Sequence, residues 1–533
     1  MGSSGYNNSN TSNSSSKLID PEVRSIDAAS EYGGIAASRL LPETSYTPDE
    51  GIGSASLVVE SDRAKFNPNC AFESEAWGES GVAGIADEIS NLLKNIVGSG
   101  GLSIPGGIAV FANAPGVMWP SIALIWIMGV VNAYSFSLLG RICAITKSYS
   151  YSMAWERTVG RRYGSKYQLF VDIVVFGKAI LGTWSFSIMI SSTCTPLVQY
   201  VLEKFPSRLA LSGIDSSENG LNPTAVLIAI SLFVLLPLCL SQKLASLSIS
   251  SAVGTLGTSV TITTMIMRYF DGSYEEGGTF YNDLASDQRP SFGTDLGANA
   301  FFASAKSLTL VSILSTGYVA HYNAPKYYYE LRDHTTGRFN IVVTFGFFFA
   351  AVTYTVVSTL GFLTFGENSK GFILDNYSYR DPLATIARFG IAVSVISAYP
   401  LLFHGGRDGL VDLLKTISSI RRIGSPADSV NARTSLPTQT ESNTVTVILL
   451  STVTALAIYV NDLTFVLSFS GATMSSLLIY IFPPFMFTAL VKNCCCYDTD
   501  YTEREMKLGY VMMIVGAALG TAGAYVSIER AFF

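Results

Sequence analysis

Charge is scarce in this chain: Asp, Glu, Lys and Arg make up 14% of 533 residues, against roughly 25% in soluble domains. A single soluble globule with so few charges would be hard to keep in solution. Histidine is rarer still, with three in all and none at a ligand spacing, so neither a metal site nor a cofactor is expected. A formal net charge of −6 offers no basic face for nucleic acid. The seven Cys fall mostly in apolar runs or in the cluster Cys494, Cys495, Cys496, with no disulfide spacing. No nucleophile–base pair or phosphate loop appears, so nothing points to an enzyme. What is abundant is apolar: 49% of residues are hydrophobic and the mean hydropathy is +0.36.

Those residues are not evenly spread. Residues 1–85 open with MGSSGYNNSNTSNSSS and continue polar, which predicts a disordered tail. The tail lacks the basic start and apolar core of a secretory signal, and Tyr6 stands where a myristoylation motif needs Ser or Thr. A transporter-sized membrane domain is then expected over 86–528, followed by a short extracytosolic C-terminus at 529–533. Eleven apolar runs are long enough, or nearly so, to cross a bilayer. They are 88–113, 118–140, 168–200, 222–240 and 244–268, then 298–322, 340–363, 383–404, 444–460 and 463–490, and last 508–528. With the tail in the cytosol, Arg141, Lys147, Arg157, Arg161, Arg162, Lys326, Arg332, Arg338, Arg407 and Lys415 all fall in inner loops, while Asp271, Glu275, Glu276, Asp283 and Asp287 fall outside. That is the positive-inside pattern.

Spans one and six carry helix breakers. Span one contains Gly98, Ser99, Gly100, Gly101 and Pro105; span six contains Ser315, Thr316, Gly317 and Tyr318 and ends in His321, Tyr322, Asn323, Ala324, Pro325. Glycine-rich chain of this kind does not stay helical through a bilayer. Five crossings separate the two, so they run in opposite directions, as two inverted five-helix repeats each opening on a broken helix require. Freed amides attract a carboxylate and freed carbonyls suit an ammonium. An α-amino acid carries both, so these residues predict a carrier of a small zwitterion.

The motifs resemble the amino acid/auxin permease family of the amino acid-polyamine-organocation superfamily. The resemblance rests on Asn91 to Gly100, on AHYNAPKYYYEL from Ala320 to Leu331, on Tyr399 to Arg407, and on Leu467 to Thr473 with Pro483 and Pro484. It implies an all-α polytopic membrane protein of LeuT-type fold, with a 5+5 inverted repeat plus one further helix. It also implies alternating-access transport of an amino acid, with the substrate backbone against Gly98, Ser99, Gly100, Gly101, Ser315, Thr316, Gly317 and Tyr318. Gly101 departs from the family's branched aliphatic residue, which leaves two expectations open: a wider pocket or a looser turn. Gly100→Val is expected to abolish transport.

For coupling, Lys94 stands where the sodium-coupled branch has Asn, and a fixed ammonium there would repel sodium. Protons are the coupling ion this suggests, although the proton-assisted branch has His where this chain has Asn91. Lys178, deep in span three, and His321 complete the coupling candidates. The reading is a sodium-independent carrier of neutral L-amino acids in a vacuolar, lysosomal or plasma membrane. A sodium symporter, or an amino acid sensor signalling through the tail, are the alternatives. The partners are the substrate and the bilayer. Modification is expected at the sequon Asn376–Tyr377–Ser378 and, as palmitoylation, at Cys494, Cys495 and Cys496.

Overall fold

The computed structural model describes residues 81–163, 167–204, 221–241, 248–294, 299–421, 439–493 and 500–533. The tail before residue 81 and Cys494–Cys496 lie outside them. Helical chain occupies each of the eleven expected stretches. Among the described residues, seven helices are long and apolar enough to cross a membrane: Pro115–Thr146, Gln168–Lys204, Pro223–Leu240, Thr336–Phe365, Pro382–Val411, Leu463–Lys492 and Thr502–Phe532. Asn443–Tyr459 is shorter, and Ser248–Phe270 is helical throughout. The fold is therefore all-α and polytopic, and seven crossings rather than eleven follow from length and apolarity alone.

Spans one and six fail that test because they are broken. Span one runs as Ile85–Ile96, leaves the helix at Val97 and Gly98, turns as a 3-10 helix over Ser99–Ser103 and resumes as Ile104–Ala109. Pro105 sits in the first turn of the second piece, where its missing N–H costs nothing. Span six is helical over Leu308–Tyr318, extended at Val319, and resumes as Ala324–Glu330 with Pro325 in its first turn. The break thus follows Ser315–Tyr318, which form the last helical turn instead of unwinding.

The two broken spans pack antiparallel. Outside the helices Ala83 meets Leu331 through a local parallel bridge, while within them Gly100 lies on Gly317 and Gly107 lies on Leu310 and Ile313. One set of numbers rises as the other falls, the relation an inverted repeat imposes. At the far end, helix Asp500–Phe532 runs through residue 528 without a boundary, and Arg530 pairs with Asp462 at 3.3 Å. The residues expected as a short C-terminal piece, 529–533, thus continue the helix as far as Phe532.

On the side of the membrane where span five ends, Arg268 makes a two-point ion pair with the fully buried Asp381, at 2.7 and 2.8 Å. Tyr274 also donates to Asp381, at 3.0 Å. Arg388, 2% exposed, donates to the carbonyls of Leu374, Tyr377 and Ser378. These bonds hold the connection between spans seven and eight as a packed cap. Asn376 lies inside it: it is fully buried, its Oδ1 accepts from the Lys370 amide at 2.7 Å, and its Nδ2 donates to the Asn368 carbonyl at 2.8 Å. Both side-chain atoms are used, so the glycan expected there does not fit the folded loop. Glycosidase treatment is expected to leave the electrophoretic mobility of the wild type unchanged. Asn376→Ala is expected to lower stability by about 1–3 kcal/mol through two stranded backbone groups, read as a lower melting temperature.

Candidate functional site

A helix broken in mid-membrane leaves carbonyls and amides without helical partners, and each must be satisfied where no bulk water reaches. Here one side chain serves both breaks. The Tyr354 hydroxyl, on span seven, lies 2.8 Å from the Ile96 carbonyl of span one and 2.9 Å from the Gly317 carbonyl of span six. Its single proton is shared between them. The Gly98 amide also donates to Ile96, at 2.8 Å. Tyr354 was not a sequence candidate, although a phenol in an apolar span is a signal, since its hydroxyl must find a partner when buried.

Tyr354 also explains Gly101. A Cβ built on Gly101 would lie 2.6 Å from Cε1 of that ring, so the space a branched residue would take is already filled. A Cβ on Gly100 would meet only the Gly317 Cα at 3.7 Å, an ordinary contact, and one on Gly98 would meet nothing within 4 Å. None of the three has a positive φ. The residue in this turn with no room even for a Cβ is thus Gly101.

The span-six residues face several neighbours. Thr316 donates to the Leu467 carbonyl of span ten at 2.7 Å. The Ser315 hydroxyl lies 3.1 Å from that of Tyr480. Tyr318 turns away to donate to the Ile125 carbonyl at 3.0 Å, its ring edge-on to Tyr354 at 5.0 Å. Span ten is itself irregular here, with wider π turns over Gly471–Ser475 and Leu477–Ile481; such turns are frequent at functional sites. Lys178 reaches this stretch from span three and donates to the Ser470 and Ser475 hydroxyls at 3.0 and 3.1 Å. These two bonds tie one coupling candidate to span ten beside the breaks.

The other two candidates are placed differently. Lys94 is exposed, on the face of Ile85–Ile96 opposite buried Glu88, Leu92 and Ile96, so its ammonium does not point into the break. His321 is fully buried in the short turn His321–Asn323 that joins the two pieces of span six, with its ring edge-on to Phe136 at 5.4 Å. Where span six begins, a cavity of about 380 Å³ is lined by Lys306, Glu367, Lys370, Asp462 and Arg530. Beside it Lys370 bonds Asp287 at 2.6 Å and holds that carboxyl below the usual range.

The family model for the transmembrane amino acid transporter protein matches residues 82–529. The chain is 22% identical over 460 residues to the Danio rerio protein named "Putative sodium-coupled neutral amino acid transporter 11", covering 86% of this chain and 90% of that one. It is 23% identical to amino acid transporter AVT6E of Arabidopsis thaliana, over 84% of each. It is also 23% identical to vacuolar amino acid transporter 5 of Saccharomyces cerevisiae, over 74% of this chain and 86% of that. Among solved structures, MhsT in complex with L-phenylalanine aligns with a TM-score of 0.44 and 11% identity over 84% of this chain and 99% of that one, a likeness too low to carry an inference. A match over residues 82–529 spans both broken helices and everything between them, and the chain belongs to the transmembrane amino acid transporter family.

Proposed function

We propose that the chain moves neutral L-amino acids by alternating access, independently of sodium, with protons as the candidate coupling ion. One observation carries the substrate class. Two antiparallel broken spans meet at Gly100 and Gly317, with the last carbonyls of one and the first amides of the other close together. Such a place offers acceptors to an ammonium and donors to a carboxylate within one small volume. The substrate would lie against Gly98, Ser99, Gly100 and Gly101 of span one and Ser315, Thr316 and Gly317 of span six, with Tyr354 and Tyr318 as walls.

Sodium independence rests better on Lys178 than on Lys94. A sodium ion needs several oxygen ligands, and the Ser470 and Ser475 hydroxyls are already engaged by an ammonium. That resident charge takes the place a second cation would need. The tail is read as cytosolic, and the yeast relative's name keeps a vacuolar membrane among the candidates.

The test is uptake of a labelled amino acid panel into proteoliposomes, with sodium or choline and with imposed proton gradients. Wild-type uptake is expected to be equal in the two salts. Lys178→Met, which leaves two buried hydroxyls without their donor, is expected to lose about tenfold or more. Uptake that collapses in choline would establish instead the sodium symport suggested by the name of the Danio rerio relative.

A further inference from the structure

Glu88 lies in the first turn of span one and is 1% exposed, yet neither carboxyl oxygen has a hydrogen-bond partner. The transport reading gives it no role. The groups around it are Asp87 and Asn91 on its own helix, and Lys326, Tyr327 and Glu330 on the second piece of span six. Lys326 lies 3.7 Å from Glu330 and pairs with it. Span seven, packed on the same helix, presents Gly346 to Leu92. A buried carboxylate with no cation of its own, next to a second carboxylate, is a costly arrangement unless it carries a proton.

Just before Glu88 the chain is tied down. The Ala83 amide donates to the Glu330 carbonyl at 3.0 Å, the Arg332 amide donates to the Ala83 carbonyl at 2.9 Å, and the Arg332 guanidinium donates to the Val82 carbonyl at 3.1 Å. Gly81 packs so closely on the Glu330 carbonyl that no Cβ would fit. Residues 81–84 therefore form a strap joining the start of one broken span to the end of the other. For a substrate held at the breaks to leave on this side, Ile85–Ile96 has to move away from Ala324–Glu330, which breaks the strap and wets Glu88.

Resting on the transport reading, we propose that Glu88 is a proton-binding site that latches the gate on the tail side of the membrane. With the strap in place the carboxyl is protonated; when the gate opens its O–H bond ionises and the proton passes to water on that side. Closing takes the proton back from the same side. The stabilisation of the closed gate is present at low pH and lost as pH rises, because only the dry, closed position favours the acid form.

Two readouts on the full chain test this. Hydrogen exchange of the Ala83 and Arg332 amides, corrected for intrinsic rate, is expected to show protection that falls by about tenfold or more between pH 6 and pH 8, within the hundredfold a single proton allows over two units. Glu88→Gln, the same shape without the proton, is expected to keep protection constant. Exchange of labelled amino acid in vesicles with equal pH on both sides should quicken with pH in the wild type and stay slow and flat in the variant. Wild-type protection that does not change with pH, or a Glu88→Gln variant that loses it as the wild type does, overturns the proposal. A wild type that exchanges no amino acid at all while its strap responds to pH overturns the transport reading and leaves the latch standing.

Discussion

Replacing Gly101 by Ile is expected to reduce uptake about a hundredfold while the protein still inserts and is extracted intact. A Cβ at this position would lie 2.6 Å from the Tyr354 ring. The ring cannot retreat without giving up the hydroxyl's place beside the Ile96 and Gly317 carbonyls. Overpacking of this kind costs about 1–3 kcal/mol, small against the fold of so large a domain. Displacing the one group that joins both breaks is worse for function, since misplacement by about 1 Å is enough for losses near 10²-fold at a positioned site. The pairing is tested by a double-mutant cycle. Tyr354→Ala alone strands two carbonyls and is expected to transport poorly, but Gly101→Ile with Tyr354→Ala should do better than the product of the two single losses. Near-normal uptake by Gly101→Ile, or strictly multiplicative losses, would mean that glycine and ring do not compete for the same volume.

The second large effect is on stability. Asp381 is fully buried and receives Arg268 at two points, Tyr274 at 3.0 Å and the Leu383 amide at 3.0 Å. Asp381→Ala removes every one of these acceptors and leaves a largely buried guanidinium with only the more exposed Asp271, at 2.7 Å, as its counter-ion, which costs about 3 kcal/mol, the low end for a broken buried pair. Most of the variant is expected to be lost at a temperature the wild type survives, measured as the monodisperse fraction left after heating in detergent. Replacing both partners, Arg268→Met with Asp381→Leu, should recover most of the loss, because neither charge is then stranded. Full stability in Asp381→Ala would show that the cap between spans seven and eight contributes nothing to the fold.

Both effects turn on partners far apart in sequence, and this separates what could be read beforehand from what could not. Helix positions were legible because they depend on local chemistry: runs of apolar residues near bilayer length, with Gly98 to Pro105 and the Pro325 turn interrupting two of them. The antiparallel relation of those two spans followed from counting crossings, and the approach of Gly100 to Gly317 agrees with it. The local reading reached its limit at single positions. It marked the whole stretch from Ser315 to Pro325 as interrupted, whereas Ser315–Tyr318 remain helical and the break falls between Tyr318 and Ala324, because pattern shows that a helix fails but not at which peptide.

Tertiary structure decided everything that depends on which side a residue faces and what stands opposite. Asn376 fits a sequon perfectly well as sequence, yet its amide is consumed by Lys370 and Asn368. Lys94 and Lys178 are both lysines in apolar spans; only packing puts the first on an exposed face and the second on Ser470 and Ser475. Gly101 looked like a vacancy until Tyr354, brought from span seven, filled it. Glu88 is, as sequence, no more than an acid near a helix N-terminus; only the fold buries it beside Glu330. The sequence by itself determined where the chain is helical and which two spans are broken, and hence that it is a membrane protein built around two interrupted helices. Burial, hydrogen-bond satisfaction and steric room are properties of pairs of atoms brought together from distant spans, so which residues finish those breaks and latch the gate was decided only when the helices packed.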